Sequence, residues 1–266
     1  MQTPELTTQP QVLVLSGLDP SGGAGIQADI QAITALGCHP LPVVTCLTVQ
    51  DTRNVYNSAA VDPALIAEQL ACLAQDTPFH AVKTGALGSA EVIDVLLAFL
   101  QSFPDVPLIV DPVIKAAGGG DLADQALIER MENALFRRAE VITPNGIELC
   151  QLGHADYAVD AATHLLQNGC RAVLATGGHG TGPDIINHLY LQDGGEQHWH
   201  IPRHGGEYHG TGCTLAAAIA AGRARGLPLT EAIANAQELV SGAIQKALRV
   251  GQGQPVPNRG WHGSAP

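Results

Sequence analysis

The 266-residue chain carries 25 Asp and Glu against 13 Lys and Arg, a formal net charge of −12, and this argues against a nucleic-acid surface, which needs a basic footprint. With 45% hydrophobic residues, 4% aromatic residues and 30 glycines, it is too apolar for a disordered protein and can build a core from Ala, Leu, Ile and Val. The opening MQTPELTTQPQ lacks the basic start and apolar stretch of a signal peptide, and no apolar run approaches the roughly 20 residues that span a bilayer, so a cytoplasmic protein without membrane contact is expected.

In chain order, VLVLSG (12–17) reads as a buried strand ending in a glycine loop, and IQADIQAITALG (26–37) as a helix stopped by Gly37. LPVVTCLTV (41–49) is strand-like, PALIAEQLACLAQD (63–76) helical and HAVKTG (80–85) a short strand. SAEVIDVLLAFLQSF (89–103) is a helix with Ser89 as N-cap. PLIVDPV (107–113) is a strand ending in an aspartate, followed by a helix over 123–139. EVITPN (140–145) repeats the strand-then-loop pattern, helical stretches run to Asn168, and RAVLATGG (171–178) is another such strand. Alternation around Asp-Gly-Gly in 184–202 predicts a β-hairpin. Two helices, 210–226 and 230–249, close the fold, with loose tails expected over 1–10 and 258–266. Strand–helix alternation without a composition break predicts a single domain (1–266) with a mostly parallel sheet and helices on both faces. Six scattered cysteines without a CxxC pair read as reduced residues.

Ligands of open α/β sheets bind beyond the carboxyl ends of the strands, so chemistry is expected in the loops GLDPSGGAG, KTGALG, DPVIKAAGGG, TPNGIE and TGGHG. No GxxxxGK[ST] is present, and no GxGxxG follows a strand. Asp19 can accept a hydrogen bond from a hydroxyl or an exocyclic amine. Asn145 and Glu148 stand three apart at a helix start. They read either as a capping box or, for the carboxylate, as a Mg²⁺ holder acting through water. Asp111 is a second carboxylate on the same edge. The stretch HGTGCTLAAAIAAG places glycines and Cys213 where a buried helix begins, an anion-binding position by its free amides and dipole. Cys213 reads as a nucleophile favoured by His209, as a residue lining a phosphate cradle, or as a small packed residue.

SGLDPSGGAGIQADI, VQDT, TPNGIEL, TGGHG and HGTGCTLAAAIAA, in this order, together with GQGQPVPN, resemble the hydroxymethylpyrimidine/phosphomethylpyrimidine kinases of thiamine biosynthesis over residues 11 to 257. The resemblance implies a ribokinase-like three-layer α/β/α sandwich with a small β-hairpin. It also implies ATP- and Mg²⁺-dependent phosphorylation of 4-amino-5-hydroxymethyl-2-methylpyrimidine and then of its monophosphate. By the same resemblance Gly17, Asp19, Ala24 and Gln50 line the pyrimidine pocket, with Ala86 near the ring. Asp111 and Glu148 serve the metal–phosphate region. Thr143, Asn145, Thr176, Gly178 and His179 face ATP, and Gly210, Thr211, Gly212 and Cys213 form the anion hole. Relatives of this family commonly form homodimers.

The chain departs from the family pattern at IKAAGGG, where the lysine is Lys115 and Ala117 takes the usual lysine place. It departs also at KTGAL, where Thr84 and Ala86 replace larger apolar residues, and at TGGH, where Thr176 replaces a lysine. Lys115 would compensate if its loop folds inward. An enlarged pocket keeps a pyridoxal kinase in view. A cysteine hydrolase or acyltransferase using Cys213 and His209, and a non-catalytic binding protein, are the readings from other classes.

Overall fold

Uninterrupted apolar runs covered on both faces build the centre of the molecule. The computed structural model describes residues 8–115, 120, 122–178, 180 and 182–260; His179 and Ala117 lie outside them. β1 (Gln11–Leu18) leads through α1 (Gly25–Ala35) to β2 (His39–Gln50), which turns back as β3 (Val55–Ala60). Then follow α2 (Pro63–Asp76), β4 (Ala81–Thr84), α3 (Ala90–Leu100) and β5 (Leu108–Val110). α4 (Gln125–Arg130) continues through a π-helical turn, Met131–Leu135, into α5 (Phe136–Arg138). β6 (Val141–Ile142), α6 (Gly146–Leu152), α7 (Ala158–Gln167) and β7 (Ala172–Ala175) precede the hairpin of β8 (Asp184–Leu191) and β9 (Glu196–Pro202). α8 (Thr211–Ala224) and α9 (Leu229–Gln245) come last.

The strands form one sheet in the order β3-β2-β1-β4-β5-β6-β7-β8-β9. Pairings from β2 to β7 are parallel, and β3, β8 and β9 join antiparallel at the edges. Side chains alternate between the faces: Leu13 and Leu15 of β1 enter one core with α2, α3, α6 and α7, and Val12 and Val14 enter the other with α1, α8 and α9. Three layers result. β1 connects to β2 on one side and its other neighbour is β4, so the strand order reverses at β1, and a binding crevice opens where it does. Among the described residues no helix is long and apolar enough to cross a membrane.

β3 has no counterpart in the sequence reading, because only Val55 of VYNSAA is buried and the other five residues are exposed at the sheet edge. The helix expected over 123–139 starts at Gln125, where the Asp124 side chain accepts the Leu127 amide at 2.8 Å. Ser89 does precede α3, but its side chain makes no cap hydrogen bond. The tails also differ. Pro10 already accepts the His39 amide at 2.8 Å. At the other end the Asn258 amide bonds the Ala243 carbonyl at 3.0 Å, and the Arg259 side chain is among the most deeply buried in the protein. Residues 1–7 and 261–266 lie outside the described part.

α8 runs through the interior against α1, α9, β4 and β5, and from Thr214 to Gly222 every residue is buried. Its alanines and glycine allow this close approach: a Cβ at Gly222 would lie 2.8 Å from Ala232 Cβ. Gly222→Val should therefore lower the unfolding free energy by roughly 1–3 kcal/mol through overpacking. Urea denaturation checks this, and an unchanged midpoint would refute the tight α8–α9 contact.

Candidate active site

The strand ends deliver the functional residues to the crevice one loop at a time. After β1 the chain turns through Asp19, whose Oδ1 accepts the Ser21 amide at 2.8 Å and whose Oδ2 accepts the Ala24 amide at 2.7 Å. His209 Nε2 adds a third contact at 2.9 Å. Burial pushes Asp19 up, but the hydrogen bonds from His209, Gln50, Ser21 and Ala24 together outweigh it and hold the carboxyl well below its usual range. Asp19, at 2% exposure, is thus an internal pin for the glycine loop. The His209 amide is itself tied to the Pro255 carbonyl at 2.9 Å, so both its backbone and its ring are held within the fold.

Gly17 and Ala86 are neighbours on this side, and Ala24 closes the loop held by Asp19. A Cβ at Gly17 would meet Cys46 Sγ at 2.7 Å and Ala86 Cβ at 3.5 Å, so Gly17 permits the close approach of Cys46. Gln50 and His209 line one small cavity with Val55. Thr84, placed near the ring by the sequence, is fully buried inside β4; Ala86, two residues on, is the half-buried one.

At the other end of the crevice lies the first turn of α8. Its N-cap Gly210 takes φ 85° and ψ 17°, a left-handed conformation that favours glycine. A Cβ there would collide with the Gly23 carbonyl oxygen. The amides of Thr211, Gly212 and Cys213 have no carbonyl to bond within the helix. Gly212 is exposed, and a Cβ on it would meet nothing within 4 Å. These donors open onto the crevice.

Beneath them lies a buried chain of charges that the sequence reading did not find. Lys83 of β4 is fully buried, with its Nζ 2.8 Å from Asp29 Oδ1 of α1 and 3.9 Å from Asp111 Oδ2. Burial would lower the Lys83 pKa, but Asp29 first, then Cys213 and Asp111, hold it above its usual value, so the ammonium stays charged. Gly85 makes room for it, since a Cβ there would lie 2.8 Å from Lys83 Nζ. Cys213 and Asp111 are near enough to shift each other's ionisation. Burial pushes the Cys213 thiol up to about 12, with Lys83 opposing and Asp111 and Asp29 adding to the rise. A thiolate favoured by the helix and His209 is therefore not what this environment supports.

On the remaining side Asn145 caps α6. Its Oδ1 accepts the amides of Ile147 and Glu148 at 2.9 and 3.0 Å, and Glu148 Oε2 accepts the Asn145 amide at 2.9 Å. The capping-box reading is thus realised. Glu148 is nevertheless 9% exposed, and burial, then the Asp111 charge, raise its pKa to about 7 against the pull of the Asn145 and Ile114 amides. Thr176 lies beside Asn145, with its amide 3.0 Å from the Pro144 carbonyl. Thr143 is buried next to Val110. Gly178 is exposed, and its carbonyl is held by Arg203 Nη1 at 2.7 Å. Lys115 is exposed where the described chain breaks off.

A three-layer sheet with open helix amides at its switch point and the carboxylates of Asp111 and Glu148 beside them has the build of a small-molecule kinase of the ribokinase-like fold. Comparison with known proteins narrows this. The phosphomethylpyrimidine kinase family profile matches residues 19–258, and the chain belongs to that family. It is 38% identical over 261 residues to a hydroxymethylpyrimidine/phosphomethylpyrimidine kinase of Streptomyces coelicolor, covering 96% of each chain. It is 41% identical over 254 residues to a thiamine biosynthesis bifunctional protein of Geobacter sulfurreducens, matching 93% of this chain and 51% of that protein, so the chain spans about half its length. Among solved structures, a phosphomethylpyrimidine kinase of Clostridium difficile superposes with a TM-score of 0.76 at 31% identity, covering 89% of this chain and all of that one. The ADP complex of Bacillus subtilis pyridoxal kinase superposes at 0.86 and 27% identity, covering 95% of this chain and 98% of that one.

Lys83 and Asp29 were missed because the sequence reading looked for chemistry only in loops. Their signal was a lysine inside the short buried strand AVKT and an aspartate on the inner face of an apolar helix, places where a charge persists only with a partner. Lys83→Met, which strands the Asp29 carboxylate, should cost about 3–5 kcal/mol of stability. Lys83→Met combined with Asp29→Leu should regain most of that. Equal losses in chemical denaturation for single and double variants would show that the pair is not coupled.

Proposed function

We propose that the chain transfers the γ-phosphoryl group of ATP to the hydroxymethyl oxygen of 4-amino-5-hydroxymethyl-2-methylpyrimidine, and then phosphorylates the resulting monophosphate. The observation that carries this reading is the exposed glycine turn at the start of α8, whose left-handed Gly210 leaves the amides of the first helical turn open. Gln50 offers the amide donors and acceptor that suit an aminopyrimidine edge. Thr143, Asn145, Thr176, Gly178, His179 and Lys115 are assigned to the nucleotide side.

Phosphoryl transfer depends on alignment and charge neutralisation more than on covalent help. The substrate oxygen forms the new P–O bond as the bond to ADP breaks, and the amides of Thr211, Gly212 and Cys213 stabilise the equatorial oxygens. The hydroxyl proton passes to the Cys213 sulfur as the thiol proton moves onto Asp111. Burial raises the pKa of that carboxyl, with Lys83 opposing and Asp29 adding to the rise. A proton acceptor of this kind needs no preformed thiolate.

A divalent cation fits the residues present. Asp111 Oδ2 is buried without a hydrogen-bond partner, and the neighbouring charge of Asp111 contributes to the raised pKa of Glu148, a repulsion that a cation relieves. Asp111 and Glu148 would hold Mg²⁺ through its waters, and the ion would neutralise charge on the transferring phosphates. Six free cysteines suit the reducing cytoplasm, where ATP is supplied.

Pyridoxal is the second reading, favoured by the close superposition with the Bacillus subtilis enzyme and by the small side chain at Ala86. An ATP-consumption panel with the hydroxymethylpyrimidine, its monophosphate and pyridoxal, with products identified by mass, decides between them. Turnover with the pyrimidine is expected, and turnover of pyridoxal alone would refute the first reading. In the same assay Gly212→Ala, which has space for its methyl and no left-handed φ, should leave the melting temperature unchanged while lowering kcat/KM for ATP about tenfold or more. An unaffected kcat/KM would remove the turn from the site.

The proton path has its own test. Cys213→Ser keeps a hydrogen relay and should stay within about tenfold of the native kcat, whereas Cys213→Ala should lose on the order of 10²-fold. A serine variant as inactive as the alanine one would mean that a thiolate is required.

A further inference from the structure

We infer that Arg259 is a positioning residue for phosphoryl transfer, its guanidinium holding the glycine turn at the mouth of α8 in the conformation that aims its amides at the transferring group. This rests on the kinase reading above and extends it to the residue that directly follows the GQGQPVPN stretch.

The side chain is 2% exposed and spans the gap between two glycine loops. Its Nη2 donates to the Gly23 carbonyl at 2.5 Å and to the Gly210 carbonyl at 3.3 Å. Nε donates to Thr214 Oγ1 at 2.7 Å, and that hydroxyl in turn donates to the Gly210 carbonyl at 2.6 Å. Nη1 reaches Gln31 Oε1 of α1 at 3.1 Å. Gly210 is the left-handed N-cap of α8, and its carbonyl is held directly by Arg259 and indirectly through Thr214. The direction of the Thr211, Gly212 and Cys213 amides follows from that one peptide orientation, and the guanidinium that fixes it also adds a buried positive charge behind the turn. Such fixed donors and charges cost no reorganisation when the transferring oxygens arrive.

How Arg259 reaches this position explains its isolation in sequence. After α9 the chain forms a strap. The Leu248 and Val256 backbones bridge, and the Gly253 and Gln254 amides bond Thr52 Oγ1 and the Thr52 carbonyl, both at 2.9 Å. The Pro255 carbonyl holds the His209 amide at 2.9 Å. The strap therefore crosses the loop between β2 and β3 before inserting Arg259 under the anion turn. A brace that served folding alone would not need to converge on Gly210, the residue whose left-handed backbone sets the amides.

Binding of ADP and of AMP-PCP, measured by calorimetry on the full chain, separates the two roles, because only AMP-PCP carries a third phosphate to the turn. Arg259→Met should weaken AMP-PCP about tenfold or more while leaving ADP within about twofold, and should lower kcat by at least as much as it raises KM for ATP. Arg259→Lys, which keeps the charge with fewer hydrogen bonds, should fall between Met and native. If Arg259→Met does not fold, Arg259→Lys carries the test, with AMP-PCP again losing more than ADP. Equal loss of both nucleotides, or no loss of either, would overturn the role of Arg259. A native protein that binds both nucleotides but phosphorylates neither the pyrimidine nor pyridoxal would instead overturn the kinase reading.

Discussion

The first amides of α8 have no partner within their own helix, and the surrounding chain is built to keep them open. Gly210 adopts a positive φ because the peptide must turn sharply into the helix, and the Gly23 carbonyl occupies the space a side chain would need. The loop bearing Gly23 is itself set by Asp19, whose carboxylate collects amides from Ser21 and Ala24 and a ring nitrogen from His209. Two glycine loops remote in sequence thus fix each other. Because α8 is buried along most of its length, its N-terminal dipole points out of a low-dielectric interior, where it acts on an anion more strongly than an exposed helix would.

The global charge of −12 says little about this edge. Lys83 is buried beneath the turn with Asp29 and near Asp111, and Arg259 is buried behind it. Both cations lie in the interior, whereas much of the acidic excess lies in exposed positions such as Asp51, Asp76 and Glu129, where solvent screens it. Local placement decides which charge a bound phosphate feels. On the facing side the Asp111 charge raises the cost of ionising Glu148, which is the arrangement that a cation-bridged polyphosphate resolves.

Much of this was legible in the sequence because it is encoded locally. The buried strands and helices show their periods, the hairpin shows its Asp-Gly-Gly, and the anion turn shows glycine before an alanine-rich helix. The capping box of Asn145 and Glu148 needs only four residues to be seen. What escaped was encoded at long range. β3 is an edge strand with one buried residue, so its alternation is absent. Lys83 with Asp29, and Arg259 with Gly23 and Gly210, pair residues 49 to 236 positions apart, and no local pattern announces them. Asp19 was seen, but the internal bonds it makes to Ser21, Ala24 and His209 were not, because the last of them joins residues 190 positions apart.

The central claim is that the amides of Thr211, Gly212 and Cys213 receive the terminal phosphoryl group of ATP. The most direct measurement is a crystal structure of the chain with AMP-PCP and the hydroxymethylpyrimidine. The account predicts the terminal phosphoryl oxygens within hydrogen-bonding distance of those amides, about 2.7–3.2 Å, and the pyrimidine hydroxymethyl group between them and Gly17. A nucleotide whose terminal phosphate lies elsewhere, with the mouth of α8 filled only by solvent, would contradict it.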